Sequence, residues 1–292
     1  MVIYAADGNW ILHRAFYSIN PKQRKPEQAL LYQFLHLLFK DALSVRATHF
    51  LLAFDGPRVF RYKLYTQYKA NRSKHSVETE VREGFKDIYE YLPLIQSILT
   101  ELAIPWIQPD IFEADDVLCS VVKKYATDKC FVYCGTQDKD SYQYLNPYCA
   151  LYDSSHKVQG KIKPLIIDTK KAEQIKGIPC SQMASYQCLI GDSIDNIPPI
   201  MKPKQAKELL AKYGSIKHAI KSGYNLTISL HDLRRNAKLV TLRSDVPIPN
   251  LSELVVNKKE LDNELKRSLP SAYFNYIEFV HPKARSLFSI GV

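Results

Sequence analysis

The sequence predicts an α/β fold in which a central, mostly parallel sheet is flanked by helices. Short, continuous apolar segments at Val2–Ala6, Phe50–Phe54 and Phe131–Tyr133 have the length of strands. Apolar residues recur at helical spacing in the segments between them. Apolar strands that alternate with helices are typical of a parallel sheet that is covered on both faces.

Three helices are predicted in this part of the chain. Gln28–Leu43 places leucine and phenylalanine on one helical face, and Asp115–Tyr125 does the same with valine and leucine. Phe85–Leu102 also has a helical pattern. We expect Pro93 to break it, because proline lacks the N–H that a helix interior needs.

The pattern changes near residue 170, where helical signals become dominant, strands become scarce and lysines become frequent. We therefore expect an α/β region at 1–169 and a mainly helical region at 170–292, joined through Lys161–Thr169. Near the end, the pattern of Tyr273–Val280 fits either a strand or a helix.

The composition excludes several classes of protein. The 292 residues are 46% hydrophobic and 24% charged, which argues against a disordered chain. No apolar run reaches the roughly 18 residues of a membrane span, and the N-terminus does not have the pattern of a secretory signal. We expect a soluble, intracellular protein. The six cysteines show no metal-binding spacing and are interpreted as buried or incidental thiols.

The charge is unevenly distributed. The net charge is +10; residues 1–160 carry 19 basic and 18 acidic residues, whereas residues 161–292 carry 21 and 12. Such asymmetry favours a polyanionic partner, most often nucleic acid. A merely basic soluble region remains the alternative.

Acidic residues follow the predicted strands. Asp7, Asp55 and the pair Asp138 and Asp140 come directly after strands, and ligands of open parallel sheets bind at that edge. Further acids stand at a predicted helix start and in a later turn: Glu113, Asp115, Asp116, Asp192 and Asp195.

These acids have two interpretations. Each one alone could be a helix cap or a favourable charge in a first helical turn. Together on one edge they would repel one another unless a hard cation neutralised them. Ligand sets made only of oxygen favour Mg²⁺ or Mn²⁺, and a pair of such ions is typical of phosphodiester hydrolysis.

A basic segment with interleaved aromatic residues runs from Pro57 to Val77 and contains no acidic residue. Basic side chains that neutralise phosphates, together with aromatic rings that stack on bases, are typical of a path for single-stranded nucleic acid. A solvated basic loop is the alternative. The candidate contacts in this segment are Arg58, Arg61, Tyr65, Tyr68, Lys69, Arg72 and Lys74.

Six short motifs resemble those of the 5′-nuclease family, which comprises the N-terminal domain of bacterial DNA polymerase I, phage 5′–3′ exonucleases and flap endonucleases. They occur in family order and are Ala6-Asp7-Gly8-Asn9, Phe54-Asp55-Gly56, Tyr68-Lys69-Ala70-Asn71-Arg72, Glu113-Ala114-Asp115-Asp116, Asp138-Lys139-Asp140 and Gly191-Asp192-Ser193-Ile194-Asp195-Asn196-Ile197-Pro198. The segment 239–247 resembles the part of the family that usually follows.

The resemblance implies a fold and a set of roles. It implies a PIN-like nuclease core, a basic arch at about 57–95 and a C-terminal DNA-binding region of the helix-hairpin-helix type. Lys69 and Arg72 resemble the catalytic basic pair that reaches the scissile phosphate, and Tyr68 resembles an aromatic lining that path. The implied ligands of the first ion are Asp7, Asp55, Glu113, Asp115 and Asp116; Asp138 and Asp140 would serve either ion, and Asp192 and Asp195 the second.

The hairpin after Pro198 departs from the family pattern. Its glycines are absent, and Pro199-Ile200-Met201-Lys202-Pro203-Lys204 stands in their place. Proline has a fixed φ and no N–H, so we expect this segment to lack the backbone contacts with phosphate and the monovalent-cation site of the family. We expect duplex contacts from the side chains of Lys202, Lys204 and Lys207 instead.

The resemblance implies a 5′–3′ exonuclease or 5′-flap endonuclease that needs two ions of Mg²⁺ or Mn²⁺ and hydrolyses DNA. It also implies the cytoplasm of a bacterial or phage-infected cell. The expected partners are DNA with 5′ ends or flaps, an RNA–DNA hybrid as a further possible substrate, and replication proteins; we expect a monomer. Two alternatives remain open: an inactive relative that only binds branched DNA, and an RNA-directed nuclease of the related acid-cluster fold.

Overall fold

A six-stranded sheet forms the centre of the protein in a computed structural model, which describes residues 1–19, 26–70, 88–225 and 229–255. Along the sheet the strands follow the order β3-β2-β1-β4-β5-β8, and a separate two-stranded hairpin consists of β6 and β7. The strands are β1 (Val2–Asp7), β2 (His49–Ala53), β3 (Trp106–Ile107), β4 (Phe131–Gly135), β5 (Cys149–Asp153), β6 (Lys157–Val158), β7 (Lys161–Ile162) and β8 (Leu165–Ile167).

The mostly parallel sheet that the sequence predicts is confirmed. The strands β1 to β5 pair in parallel, and only β8 pairs antiparallel, with β5. The three predicted strands correspond to β1, β2 and β4. The segment expected to be a joint contributes β7 and β8 to sheets instead.

Ten α-helices lie in the described residues. They are α1 (Gly8–Ser18), α2 (Pro26–Ser44), α3 (Phe60–Leu64), α4 (Leu92–Glu101), α5 (Ala114–Tyr125), α6 (Thr169–Lys176), α7 (Met183–Ile190), α8 (Pro203–Tyr213), α9 (Ile216–Lys221) and α10 (Leu230–Val240). None of them is both long and apolar enough to cross a membrane.

The helical pattern of Phe85–Leu102 is divided just before Pro93, in agreement with the predicted break near that residue. Pro93 lies in the first turn of α4, directly after a 3₁₀-helix at Ile88–Tyr91. The first N–H groups of a helix have no partner within it, so a proline costs nothing there and stands at the start of the α-helix. Residues 85–87 lie outside the described part of the chain, as does Tyr273–Val280.

The two faces of the sheet carry two different cores. Tyr4 and Ala6 of β1 pack with α1, α2 and α4, whereas Ile3 and Ala5 face α5. This second core continues without a break into α6, α7, α8 and the segment that ends near Leu254. The helices after residue 169 are therefore packed against the sheet, and the boundary at 169 stays a prediction.

The carboxyl ends of β1, β2 and β4 lie together at one edge of the sheet. The chain passes from β1 to β2 on one side, and β4 pairs with the other side of β1. A reversal of this kind opens a crevice between β1 and β4, which is where open α/β sheets bind ligands.

Candidate active site

Six aspartates at this edge form what we call the rim: Asp7, Asp55, Asp115, Asp138, Asp140 and Asp192. Asp7 is the last residue of β1, and its Oδ1 accepts hydrogen bonds from the backbone of Asn9 (2.9 Å) and Trp10 (3.1 Å) at the start of α1. Asp55, after β2, accepts from the backbone N–H of Ala114 at the start of α5 (2.8 Å). These two strand ends are thereby fixed against two helix N-termini.

The other rim aspartates are oriented in the same way, each through its Oδ1. Asp138 accepts from the backbone of Asp140 (2.8 Å), and Asp192 accepts from the backbone of Ile194 (2.7 Å). Asp115 accepts from the hydroxyl of Ser141 (3.3 Å). Asp140 accepts from the side-chain amide of Gln187.

The capping interpretation and the ligand interpretation are therefore compatible. Each rim aspartate uses Oδ1 to orient itself, while its Oδ2 makes no hydrogen bond or ion pair with another described residue. One oxygen fixes the side chain, and the other is left for a ligand.

The pKa values show that the rim carboxylates interact. The pKa of Asp7 is raised to about 7 by burial and by the charges of Asp55 and Asp138. Burial and then Asp138 and Asp7 raise the pKa of Asp115 well above its ordinary value. Burial also raises the pKa of Asp140 to about 7, with contributions from Asp138 and then Asp192.

Mutual repulsion of this kind is relieved by a bound cation. Asp and oxygen-only donors fit a hard divalent ion such as Mg²⁺. Among the described residues, no three His, Cys, Asp or Glu side chains are already gathered around one ion position. The donor chemistry of the rim thus fits a hard cation, and its side chains are oriented but not closed around one.

Glu113 and Asp116 belong to a different environment, although they are close to Asp115 in sequence. Arg61 donates Nη1 and Nη2 to the two oxygens of Asp116 (2.6 and 2.7 Å) and lies 3.0 Å from Glu113 Oε2. The backbone N–H groups of Glu113 and Arg243 donate to the same carboxylate of Asp116. All three side chains of this group, Arg61, Glu113 and Asp116, are buried.

This environment corrects two predictions. Asp116 is fully buried and both its oxygens are occupied, so it supports the start of α5 instead of facing a metal. Arg61 is 1% exposed and also donates to the carbonyls of Leu239 and Thr241, so it is not available to DNA. Burial lowers the pKa of Arg61, but the bonds to Asp116 and the charge of Glu113 outweigh this effect and raise it overall.

Lys69 and Tyr68 lie on the other side of Glu113. The ammonium group of Lys69 forms an ion pair with Glu113 Oε1. The hydroxyl of Tyr68 donates to Glu113 Oε2 (3.1 Å) and to Asp195 Oδ2 (3.3 Å). The carboxylate of Glu113 is thus held by cations and a hydroxyl. Tyr68 is 3% exposed, so the structure gives no support to its predicted role as a lining of a nucleic-acid path. Asp195 is buried near this group as well.

The remaining residues of the basic segment are divided. Arg58 is exposed and pairs with Asp110 at 2.6 Å. Tyr65 is half-buried, with the guanidinium of Arg235 5.0 Å from its ring centroid. The predicted residues Arg72 and Lys74 lie outside the described part of the chain.

The predicted hairpin lysines lie at the start of α8. Lys202 and Lys204 are exposed there, and Lys202 is the residue that precedes the helix. Lys207 is half-buried, and its ammonium group donates to the carbonyl of Lys176, so it is partly committed to the protein. The prediction of lysine side chains at this position is compatible with the structure for Lys202 and Lys204.

Sequence reasoning missed the connection of α10 to the segment around Pro198. Asn236 in α10 is fully buried and donates its amide to the carbonyls of Cys188 (3.3 Å) and Pro198 (2.7 Å). The available signal is an asparagine on the same helical face as Leu233 and Leu239, since a polar residue among apolar ones usually bonds to a backbone.

The amino-acid sequence is similar to that of known 5′–3′ exonucleases and DNA polymerases. The family model described as "5'-3' exonuclease, N-terminal resolvase-like domain" matches residues 2–175. DNA polymerase I of Rhizobium leguminosarum is 29% identical over 268 residues, which cover 84% of this chain and 25% of that protein. A 5′–3′ exonuclease of Aquifex aeolicus is 28% identical over 279 residues, which cover 91% of this chain and 90% of that protein.

Solved structures show the same fold. The flap endonuclease of bacteriophage T5, described in complex with DNA and metal ions, superposes with a TM-score of 0.61 at 17% identity and covers 99% of this chain and 96% of its own. Fold and site thus define an α/β domain with a carboxylate rim at the sheet's ligand-binding edge. With the family model matching more than half of its residues, the chain belongs to the 5′–3′ exonuclease family of nucleases.

The chain spans about a quarter of the length of the DNA polymerase I relative and nearly all of the length of the Aquifex exonuclease.

Proposed function

We propose that the protein is a 5′–3′ exonuclease and 5′-flap endonuclease that hydrolyses DNA with two divalent ions, Mg²⁺ or Mn²⁺, held at the rim. The observation that carries the proposal is the set of rim aspartates, each oriented through one oxygen while the other makes no hydrogen bond or ion pair within the described part of the chain. The relatives and the DNA-bound, metal-bound structural neighbour support the same reading.

The rim aspartates would divide between the two ions. We assign Asp7, Asp55 and Asp115 to the first ion and Asp192 to the second, with Asp138 and Asp140 between them. Asp195, which accepts from Tyr68, would approach the second ion from the hairpin. The ions would favour attack of water on phosphorus and offset the charge that develops on the phosphate.

The protein's own groups would position the substrate. Glu113 holds Lys69 beside the rim, and we propose that Lys69 exchanges this carboxylate for the scissile phosphate when DNA binds. Arg72 would join it, as the family resemblance implies. An ammonium group at that place stabilises negative charge more in the transition state than in the ground state, which is the condition for a faster reaction.

Recognition of DNA would depend on phosphates and shape. The exposed side chains of Arg58, Lys202 and Lys204 are the candidates for phosphate contacts, and these carry no sequence information. We propose that the protein acts as a monomer on DNA that carries a 5′ end or flap, in association with replication or repair. An RNA–DNA hybrid is a further substrate to be tested.

The experiment compares 5′-labelled substrates: a flap duplex, a blunt duplex and a flap with an RNA–DNA hybrid. Each is incubated with Mg²⁺, with Mn²⁺ or with excess chelator, and the products are sized. We expect cutting only with metal, and loss of cutting in Asp115→Asn with flap affinity within a few fold of wild type.

The matched control is Asp110→Asn, which removes an exposed carboxylate that lies outside the rim and pairs with Arg58. It should cut at the wild-type rate. Full activity in chelator, or an Asp115→Asn variant that cuts as well as the control, would reject the metal mechanism. A wild-type protein that binds the flap and cuts none of the three substrates would favour the inactive branched-DNA-binding alternative.

A further inference from the structure

The backbone around Lys69 is hydrogen-bonded to the turn at residues 192–197, more than 120 positions further along the chain. The N–H of Lys69 donates to the carbonyl of Asp195 (3.0 Å), and the amide of Asn196 donates to the carbonyl of Gln67 (2.9 Å). The hydroxyl of Tyr68 donates to the carboxylate of Asp195. Three consecutive residues of the basic segment are thus bonded to two consecutive residues of the turn.

The turn itself is closed by its own bonds. Asp192 and Ile197 exchange both backbone hydrogen bonds (2.9 and 2.6 Å), and Asp192 Oδ1 accepts from the N–H of Ile194. Ile197 packs with Tyr68 and Leu239 in a small apolar cluster directly beneath. The turn is therefore a well-supported base for the residues bonded to it.

The backbone of Lys69 needs such support. Its φ is +55°, in the left-handed region that costs about 1–2 kcal/mol for a residue with a Cβ. Asn196 has φ +58°, but asparagine tolerates this conformation better than most residues. A strained residue at a functional site persists only where its surroundings hold it, and here the bonds to the turn contribute to that restraint.

We propose that Asn196 is a positioning residue, which fixes through Gln67 the backbone from which Lys69 reaches the scissile phosphate. This inference rests on the proposed function, because it gives Asn196 a role only if Lys69 acts on the phosphate. Asn196 itself touches neither substrate nor metal in this scheme. A displacement of about 1 Å can cost up to about a hundredfold in rate, so the loss of one anchoring bond has a measurable effect.

The test is a double-mutant cycle on the single-turnover cutting of a 5′-flap duplex with saturating enzyme and Mg²⁺. Asn196→Gly removes the amide and keeps the left-handed backbone accessible. Ser193→Gly loosens the same turn and leaves Asn196 and Gln67 bonded, so it is the matched control. Asn196→Asp, which keeps the size and removes the donor, is the second variant in case the glycine variant unfolds.

We expect Asn196→Gly to cut about tenfold or more slowly than wild type, with flap affinity within about threefold, and Ser193→Gly to cut within about twofold of wild type. In the background of Lys69→Ala, Asn196→Gly should cause no further loss of cutting rate. Non-additivity of this kind is the signature of two residues that act through one group.

The possible failures are distinguishable. If Lys69→Ala alone cuts at the wild-type rate, the role of Lys69 in the proposed function is wrong, and the positioning role falls with it. If Lys69→Ala is slow but Asn196→Gly and Asn196→Asp are neutral, or if their losses multiply with that of Lys69→Ala, only the positioning role is overturned. A purely structural role would appear as equal losses in both backgrounds.

Discussion

The buried Arg61 offers the sharpest test of the structure. Arg61→Met introduces an apolar, unbranched side chain in place of arginine and removes the cation that faces Asp116 and Glu113. Asp116 is fully buried and Glu113 is buried beside it, so the substitution leaves both carboxylates without the guanidinium that they share. Removal of one partner from a buried ion pair typically costs about 3–5 kcal/mol, because the remaining charge is uncompensated. We therefore expect a loss of that size in the free energy of unfolding.

The matched control is Arg58→Met. Arg58 also pairs with an aspartate, Asp110, but the two side chains are 70% and 51% exposed. Exposed pairs contribute about 0–1 kcal/mol, since water solvates both charges after the pair is broken. The two variants carry the same substitution and differ mainly in the burial of the pair.

The assay is urea unfolding followed by circular dichroism, with thermal unfolding as a second measurement. For 292 residues, an unfolding entropy of about 2.1 cal/mol/K per residue converts a loss of about 3–5 kcal/mol into a midpoint about 5–8 °C lower. If Arg61→Met loses no more than Arg58→Met, then Arg61 does not neutralise the two acids, and the reassignment of Arg61 from DNA contact to internal support is refuted.

Three further outcomes are expected. The pKa of Asp7 is raised from 3.8 to about 7 in the folded, metal-free protein, so the folded chain keeps this proton to higher pH than the unfolded chain. The free energy of unfolding should therefore fall as the pH rises from about 4 to about 7, and it should fall less steeply in Asp7→Asn. Equal slopes for both proteins in urea titrations would contradict this expectation. Gly191 has φ +66°, and a Cβ there would lie 2.4 Å from the carbonyl oxygen of Ile197. Gly191→Ala should therefore lower the free energy of unfolding by on the order of 2 kcal/mol or more, against about 1 kcal/mol for Gly223→Ala, where φ is +80° and the space is open. Similar losses in the two variants would show that the added Cβ meets no clash at Gly191. Lys204→Ala should reduce the slope of log affinity for a flap duplex against log salt concentration by about one, in both K⁺ and Na⁺. Lys212→Ala, at the far end of the same helix, should leave this slope unchanged. An unaltered slope for Lys204→Ala would indicate that the backbone after Pro198, and not the side chain of Lys204, contacts the duplex.

Part of the fold and most of the rim could be predicted from the sequence, because both depend on local patterns. The strands β1, β2 and β4 are continuous apolar runs, and their order with the intervening helices leaves a parallel sheet as the natural arrangement. Acids that directly follow parallel strands must lie at one edge, whatever the details of packing. The sequence therefore predicts a common edge for Asp7, Asp55 and Asp138, and in the structure the charges of Asp55 and Asp138 do raise the pKa of Asp7.

Short elements and the joint could not be predicted in this way. The strands β3 and β8 have two and three residues, too few to show a period, and they form only because a neighbouring strand offers backbone partners. The segment expected to be a joint lies against the sheet for the same reason. Its apolar residues that pair with β5, Leu165–Ile167, are too few to reveal that pairing in the sequence.

The division of the acids was decided by the tertiary structure alone. In sequence, Asp115 and Asp116 are neighbours with the same chemistry, and Arg61 is one of several basic residues in an acid-free segment. Adjacent residues on a helix point in directions about 100° apart, so Asp115 faces the rim while Asp116 faces the interior. Arg61 meets Asp116 across 55 positions and the carbonyl of Leu239 across 178. No local pattern encodes contacts over such distances; they exist because helices packed on one face of the sheet bring these segments together.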